Sequence, residues 1–264
     1  MSKENAGIFE LLDDETDYDR ETTVRASKIT YIRTFPEVIR NIRQSWFVPF
    51  EYTVTDEDKS NFKFYKIHMV AASDKDVTTE VTDATQVYVY IEEMTDEKIV
   101  LKANRPYVIK PNKVLTDYEF IAEDVDLEGR NTGSRLKVTT AEYNYDFYGT
   151  YSPYKEDNQQ ARSWIGVNAN GNLFWNKPNT TLHRYRWYIK ITKNSTNEGY
   201  AKPNLIFVED DGDSDSMPTD ISASSIDGEI EGFYTVGGVK LDHPIKGLNI
   251  IRFTDGTTKK IFIK

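Results

Sequence analysis

The feature that most constrains the fold of this chain is a succession of short β-type runs with turn residues between them. From Lys28 onward, about twelve such runs follow one another, among them KITYIRTF, NFKFYKIHMVAA and RYRWYIKIT. Aromatic and β-branched residues favour strands, and strands spaced this closely are typical of a sandwich or barrel. The sequence therefore predicts an all-β fold, and specifically a β-sandwich, of which the jelly roll is one form.

Alternation within several runs predicts which side chains face the interior, because successive residues of a strand point to opposite faces of the sheet. The predicted inward-facing sets are Val87, Val89 and Ile91; Tyr143, Tyr145 and Phe147; and Tyr185, Trp187, Ile189 and Ile191. The predicted outward-facing sets are Tyr88, Tyr90 and Glu92; Asn144 and Asp146; and Arg184, Arg186, Tyr188 and Lys190. The basic stripe in the last set either contacts an anionic partner or, as we expect, is balanced by acidic neighbours.

Composition and charge exclude several classes of protein. A net charge of -10 over 264 residues disfavours nucleic acid as a partner, since phosphate binding needs a clustered positive surface. The absence of cysteine excludes disulfides and zinc–thiolate sites. No apolar stretch reaches the roughly 18 to 20 residues of a transmembrane helix, and the N-terminus lacks the layout of a signal peptide. An exported form would therefore be part of a longer precursor. The sequence predicts no particular oligomeric state.

Changes in composition predict four segments along the chain. Residues 1–27 are an acidic lead-in or linker, and residues 28–208 are the β-sandwich domain. Residues 209–227 hold seven acidic and five Ser residues without Lys or Arg, which predicts an acidic linker. Residues 228–264 form a small β tail of two or three strands. In the tail, Asp255-Gly256 between two β-type runs is a strong hairpin signal.

Two groups of motifs resemble proteins of the Bacteroidetes. In the tail, the matching residues are Tyr234, Gly237, Val239, Lys246, Gly247, Ile250, Ile251 and the ending Lys259–Lys264, whereas Asn249 stands where Tyr is usual. This tail is similar to the sorting domains of type IX secretion. The segments 46–50, 101–109 and 149–152 resemble a β-rich module near the C-termini of large Bacteroides- or Prevotella-type secreted and cell-surface proteins. The resemblance implies an extracellular or cell-surface location, and it brings no catalytic or ligand residues with it.

Aromatic side chains near turns are the candidates for ligand contact. Flat rings on a sheet face or loop rim can stack on sugar rings. Trp46 and Trp187 lie in alternating runs and are expected in the core. Trp164, Trp175, Tyr151 and Tyr154 lie near turns and are the candidate ligand-binding residues, with loop packing as the alternative.

Metal and catalytic motifs are sparse. Asp211, Asp213 and Asp215 alternate as at the start of a calcium loop, but Ser216 and Ser222 stand where an EF-hand needs Gly and Glu. An irregular calcium site and a solvated acidic linker are the two interpretations, and we predict no other cofactor. The chain has no G-x-S-x-G nucleophile turn and no phosphate-binding Gly loop. We therefore predict that it is not an enzyme.

Three hypotheses about function follow. The first is a non-catalytic module, structural or adhesive, that supports upstream repeats and contacts proteins or glycans on a host or cell surface. The alternative is a carbohydrate-binding module that uses exposed Trp and Tyr. The third is a glycan-active enzyme, which would need two carboxyl groups about 5–9 Å apart across a cleft.

Overall fold

The structure is a computed structural model that describes residues 7–72, 86–139, 143–155, 163–193, 204–210, 224–225, 230–235, 238–241, 247–253 and 258–263. The described part is built mostly from strands. They are β1 (Gly7–Leu12), β2 (Val24–Phe35), β3 (Gln44–Trp46), β4 (Tyr52–Thr53), β5 (Phe62–Ala72), β6 (Gln86–Glu93), β7 (Val100–Leu101), β8 (Tyr107–Pro111), β9 (Leu115–Leu127), β10 (Leu136–Thr139), β11 (Tyr143–Gly149), β12 (Ile165–Val167), β13 (Leu173–Trp175), β14 (Trp187–Lys193), β15 (Asn204–Asp210), β16 (Ser224–Ser225), β17 (Ile230–Thr235), β18 (Lys240–Leu241), β19 (Gly247–Phe253) and β20 (Thr258–Ile263). The helices are α1 (Asp56–Asn61) and a 3-10 turn at Glu37–Ile39. The predicted all-β class is confirmed.

The strands form several sheets. The orders are β1-β2-β9, β10-β11-β14-β12-β13, β15-β6-β5-β8-β3, β18-β17-β19-β20 and the pair β4-β7, with β16 beside β5. Most pairs are antiparallel, as expected of a sandwich-like fold. The pairs β1–β2 and β6–β15 are parallel.

The chain folds into two units. Unit 1 comprises Met1–Lys66, Glu93–Leu136 and Asp146–Lys190, and unit 2 comprises Ile67–Glu92, Lys137–Tyr145 and Ile191–Lys264. Among the residues that the structure describes, no helix is long and apolar enough to cross a membrane.

Unit 1 has an aromatic core between two sheets. Tyr31 of β2 and Phe120 of β9 share one face of their sheet, because they are directly paired across it. Both rings contact Trp46 of β3, with centroids 5.2 and 4.7 Å away in edge-to-face geometry. Phe35 meets Phe62 of β5 in the same way at 4.9 Å. All five rings are at most 2% exposed, so sheet-on-sheet packing of aromatic rings holds this unit together.

Unit 2 contains the C-terminal β tail. In its four-stranded sheet, β19 and β20 pair antiparallel from Gly247 with Ile263 to Arg252 with Thr258. The tail is β structure, as predicted, but its sheet has four strands among the described residues instead of the predicted two or three. The predicted Asp255-Gly256 turn lies outside the described residues.

The predicted inward faces are largely confirmed. Val89, Ile91, Tyr143, Tyr145, Phe147, Tyr185, Trp187 and Ile189 are buried, whereas Ile191 is half-buried. Two predicted outward residues, Tyr90 and Tyr188, are also buried. The prediction was wrong for both, because both faces of their strands are packed against other parts of the chain. Alternation within a strand cannot show that its second face is also buried.

Two segments predicted as linkers carry strands. Within the lead-in 1–27, residues 7–12 form β1, which pairs with β2 over its whole length. Within the span 209–227, Glu209 and Asp210 end β15, and Ser224–Ser225 pair with β5. Composition recognises solvated charge, but it does not recognise a short strand whose partner lies elsewhere in the chain. The four-segment division otherwise remains a prediction.

Candidate functional site

Two of the four predicted ligand-binding aromatics are buried. Trp164 is 0% exposed and Tyr151 is 5% exposed, so the expectation that these two rings face solvent was wrong. Tyr151 lies within a hydrogen-bond network: its hydroxyl donates to Asn104 Oδ1 at 2.9 Å and accepts from Asn131 N at 3.1 Å. Its ring packs edge-on against Phe47 at 5.5 Å. Tyr151 therefore packs within the loops, which was the alternative to a role in ligand binding.

The other two candidates are half-buried and lie in or beside the sheet that contains β12 and β13. Tyr154 forms an isolated bridge with Leu182, and its ring stacks on Tyr188 at 4.3 Å with an interplanar angle of 11°. Lys190 Nζ lies 5.8 Å from the Tyr154 ring centroid. Trp175 ends β13 opposite Ile165.

These side chains form a tyrosine ladder, by which we mean the parallel rings of Tyr148, Tyr188 and Tyr154. Tyr148 stacks on Tyr188 at 5.4 Å with an interplanar angle of 19°, so the Tyr188 ring is stacked on two other rings and is buried. Trp164 meets Tyr154 and Tyr188 edge-on at 5.9 and 6.1 Å. Stacking on a sugar requires a ring face that solvent can reach. The Tyr188 ring is buried within the ladder, whereas Tyr148, Tyr154 and Trp175 are half-buried.

The candidate calcium ligands Asp211, Asp213 and Asp215 lie outside the described residues. Within the described residues, no group of three or more His, Asp or Glu side chains is arranged to hold a metal ion.

The most organised polar site in unit 1 was not predicted, and it centres on Asp13. Arg186 binds this carboxylate through two parallel hydrogen bonds, from Nη1 to Oδ1 at 2.7 Å and from Nη2 to Oδ2 at 2.6 Å. Arg33 Nε lies 3.7 Å from Oδ2, and the Tyr31 hydroxyl donates to Oδ1. We call these four residues the clasp. The side chains of Asp13, Arg33 and Arg186 are 9, 2 and 12% exposed.

Asp13 directly follows β1, and its partners come from two distant parts of the chain. Its amide donates to Ile32 O at 3.0 Å, which continues the β1–β2 ladder by one residue. Arg33 is held by the backbone oxygen of Ser45 at 3.0 Å and lies 4.9 Å from the centroid of the Phe35 ring. Both arginines are thus fixed by the surrounding fold, and their charges converge on one carboxylate.

Electrostatics fix the protonation states of the clasp. Burial alone would raise the pKa of Asp13, but the charges of Arg186 and Arg33 and the hydrogen bonds from Arg186 and Tyr31 outweigh it. They hold the pKa of Asp13 well below its ordinary value. Burial and the Asp13 charge raise the pKa of Tyr31. Asp13 therefore stays ionised and Tyr31 stays protonated near neutral pH, so the clasp is a contact between a carboxylate, two guanidinium groups and a phenol.

The residues that follow Asp13 are held by the run His183–Arg186. His183 Nδ1 lies 2.9 Å from Asp14 Oδ1. Arg184 donates through Nε to Asp17 Oδ1 and through Nη1 to the Asp14 backbone oxygen at 2.7 Å. These contacts confirm that acidic neighbours balance Arg184 and Arg186.

Tyr185 lies at the centre of this run, and its backbone is strained. Its hydroxyl donates to Thr16 O at 2.8 Å, and its ring meets Tyr31 edge-on at 5.3 Å. Its φ of 53° is unusual for a bulky residue and costs of the order of 1–3 kcal/mol. The surrounding contacts maintain this conformation, which places the Tyr185 side chain against the N-terminal segment between those of Arg184 and Arg186.

A second buried carboxylate, Asp58, has a structural role. Its side chain accepts from the Thr55 amide at 2.7 Å and completes a capping box at the start of α1. It also accepts from the hydroxyls of Tyr52 at 2.6 Å and Tyr118 at 2.9 Å. Burial and the contacts with Asp58 raise the pKa of Tyr118 to about 12. Donors thus surround this carboxylate, as they surround Asp13.

The fold and the site define an all-β chain whose N-terminal strand is held in place by a buried arginine–carboxylate clasp. No family model matches the chain, and no curated protein and no solved structure matches it.

Proposed function

We propose that this chain is a non-catalytic structural module of a bacterial secreted or cell-surface protein, and that it anchors and presents the domains or repeats that precede it. The observation that supports this proposal most is the integration of the N-terminal segment into unit 1. Strand β1 pairs with β2, and the residues after it are bound by the clasp and by the run His183–Arg186. A preceding domain would enter through β1, so tension on that domain would be resisted by this segment.

Force measurement tests the structural role directly. Because the chain has no cysteine, one handle can be attached at the N-terminus and another at the thiol of a Glu119→Cys variant, in which an exposed residue of β9 is replaced. Tension then passes through the β1–β2–β9 sheet. We expect Asp13→Asn to lower the unfolding force. Asp126→Asn, which removes an exposed pair with Arg25, should leave that force unchanged. Equal unfolding forces for the wild type and Asp13→Asn would remove the main support for the proposal.

The proposed location is extracellular or at the cell surface, as part of a longer exported precursor. The support is the resemblance of residues 228–264 to sorting domains, together with the β structure of that tail. Fusing residues 228–264 to a reporter in a host with type IX secretion tests this proposal. We expect the reporter outside the cell, and a reporter retained in the periplasm would contradict it.

Carbohydrate binding is the second candidate function, and half-buried Trp175 is the observation that favours it. A glycan array probed with the intact chain and with Trp175→Ala tests it. Trp164→Ala is not a suitable variant, because truncating a fully buried Trp costs about 3–5 kcal/mol and would unfold the site. Selective binding lost in Trp175→Ala would favour this function over the structural one. Binding that Trp175→Ala leaves unchanged would show that the site lies elsewhere.

A further inference from the structure

The segment Gly7–Tyr18 is bound to the rest of unit 1 as a ligand is bound to a receptor. Its backbone pairs with β2, Asp13 is held by the clasp, and the Thr16 oxygen accepts from Tyr185. Tyr18 N donates to Tyr151 O at 2.8 Å, and its hydroxyl donates to Glu128 O. We call this segment the strap. Each of these contacts joins the strap to a residue beyond position 23, so none depends on the covalent link between strap and β2.

The parts of unit 1 that receive the strap, which we call its receptor, are joined to one another by contacts that do not involve the strap. Strands β2 and β9 pair antiparallel from Val24 with Leu127 to Phe35 with Leu115, and this pairing does not involve β1. Arg33 is held by Ser45 O, and Arg186 Nη1 also donates to Arg184 O at 2.9 Å. The guanidinium groups of Arg33 and Arg186 therefore lie together at the position that the Asp13 carboxylate occupies when the strap is bound. A fixed pair of arginines is a specific receptor for a carboxylate.

The connection between strap and β2 has the character of a hinge. Residues 19–23 have no helix or strand, and all except Arg20 are exposed. Two hydrogen bonds hold this connection, from Arg130 N to Arg20 O at 2.6 Å and from Gly129 N to Thr23 Oγ1 at 3.3 Å. Five extended residues reach at most about 17 Å, which is enough to carry the strap away from its own receptor.

We propose that the strap is exchanged between two copies of this chain, so that the strap of each copy fills the receptor of the other. The exchanged form keeps the contacts of β1, Asp13, Thr16 and Tyr18 and opens only the hinge, which is why exchange of an identical element is a low-cost route to a dimer. The receptor is specific, because it requires a carboxylate at the position of Asp13 on a segment that can pair with β2. This inference is independent of the proposed function.

The absence of cysteine allows a cross-linking test with the full-length chain. Asp14 and His183 are exposed and their side chains meet at 2.9 Å, so Asp14→Cys and His183→Cys place one thiol on the strap and one on the receptor. One variant is labelled with nitrogen-15, the two are mixed and incubated just below the unfolding temperature, and a short bis-maleimide joins nearby thiols. Each variant treated alone measures cross-linking by random collision.

We expect a cross-linked dimer in the mixture that joins the strap thiol of one isotope to the receptor thiol of the other, with a yield that rises with protein concentration. The double variant Asp14→Cys, His183→Cys reports the link within one chain and shows that the pair can react. The proposal is overturned if the double variant reacts while the mixture gives only the background of the single variants at every concentration.

Hinge length provides a second measurement. Deleting Glu21 and Thr22 shortens the hinge from five residues to three, and short hinges under strain favour exchange. We expect this deletion to raise the dimer fraction in sedimentation velocity, and an insertion of Gly-Ser-Gly-Ser after Thr22 to lower it. A dimer fraction that does not respond to hinge length would also overturn the proposal.

Discussion

At the scale of single residues, the clasp shows how burial changes the value of a charge. An ion pair on the surface contributes about 0–1 kcal/mol, whereas leaving a buried charge without its partner costs about 3–5 kcal/mol. Asp13 and Arg186 are nearly buried, whereas the side chains of Arg25 and Asp126 are 49 and 60% exposed. The same chemical pair thus has two different energetic roles in one unit.

Replacing Asp13 by Asn should therefore destabilise the chain strongly. The change keeps the shape of the side chain but leaves two buried guanidinium groups without a counter-charge, so we expect a loss of about 3–5 kcal/mol in the free energy of unfolding. Urea denaturation measures this loss. Asp126→Asn is the matched control and should cost less than about 1 kcal/mol. A loss for Asp13→Asn as small as that of the control would show that the clasp is not a stabilising element.

The lowered pKa of Asp13 predicts how stability depends on pH. A carboxyl group whose pKa is lower in the folded than in the unfolded chain stabilises the fold above its unfolded pKa, near 3.9, and this contribution is lost as the pH falls toward the folded pKa. The stability difference between wild type and Asp13→Asn should thus be constant from pH 7 to about 5 and should shrink below pH 4. Denaturation series at several pH values measure it. A difference that stays constant down to pH 2 would contradict this assignment.

Asp13 could not be recognised from the sequence. It stands in the run Asp13-Asp14-Glu15, which reads as solvated charge, and its partner Arg186 lies 173 residues away. The one available signal was the basic stripe of Arg184, Arg186 and Lys190, for which we predicted acidic neighbours without being able to say which. The sequence shows which residues are acidic or basic, but the arrangement of the strands in space determines which of them form pairs.

At the scale of elements, alternation predicted the strands well and their surroundings less well. The pattern of Tyr143, Tyr145 and Phe147 gave the correct buried face of β11, because one face of a strand is set by its own residues. Tyr188 of β14 was expected outside and is covered by Tyr148 and Tyr154. Tyr148 and Tyr154 belong to other segments of the chain, so the alternation within β14 could not predict that they bury Tyr188.

Gly149 at the end of β11 is required by close packing. A Cβ at this position would lie 1.9 Å from the ring of buried Phe47, so the ring or the strand would have to move. We expect Gly149→Ala to cost about 1–3 kcal/mol, as overpacking of a core commonly does. Gly133→Ala is the control, since its Cβ would meet only the Asn131 side chain, at 3.1 Å. Thermal unfolding of both variants checks this, and a larger loss for Gly133→Ala would contradict it.

Hydrogen exchange should show that the clasp secures β1 rather than the whole sheet. In Asp13→Asn, we expect faster exchange at the amides of β1 and at position 13, whose N–H pairs with Ile32 O. Amides that join β2 to β9, such as those between Tyr31 and Phe120, should be accelerated less by the substitution than the amides of β1. Equal acceleration in β1 and β9 would show that the clasp supports the sheet as one cooperative unit.

At the scale of the whole molecule, the chain has two acidic segments that look alike in sequence. The lead-in 1–27 and the span 209–227 are both rich in Asp and Glu, and both were predicted as linkers. The first contains β1 and the strap, whose acidic side chains meet arginines and His183. The second has no Lys or Arg of its own and holds β16 as a short pair with β5.

Limited proteolysis should therefore separate the two segments. A protease that cleaves after Glu and Asp has sites in both, but cleavage requires about ten residues of extended, accessible chain, and pairing with β2 denies this to residues 7–12. We expect the first cuts within 209–227, releasing a fragment that contains residues 228–264, with the lead-in cut later. In Asp13→Asn, cleavage after Glu10 and Asp14 should accelerate, whereas cleavage in 209–227 should keep its rate. A time course by intact mass measures both rates. If the wild type were cut first within the strap, the strap would be a loosely held tail, and neither the anchoring role nor the clasp that supports it would stand.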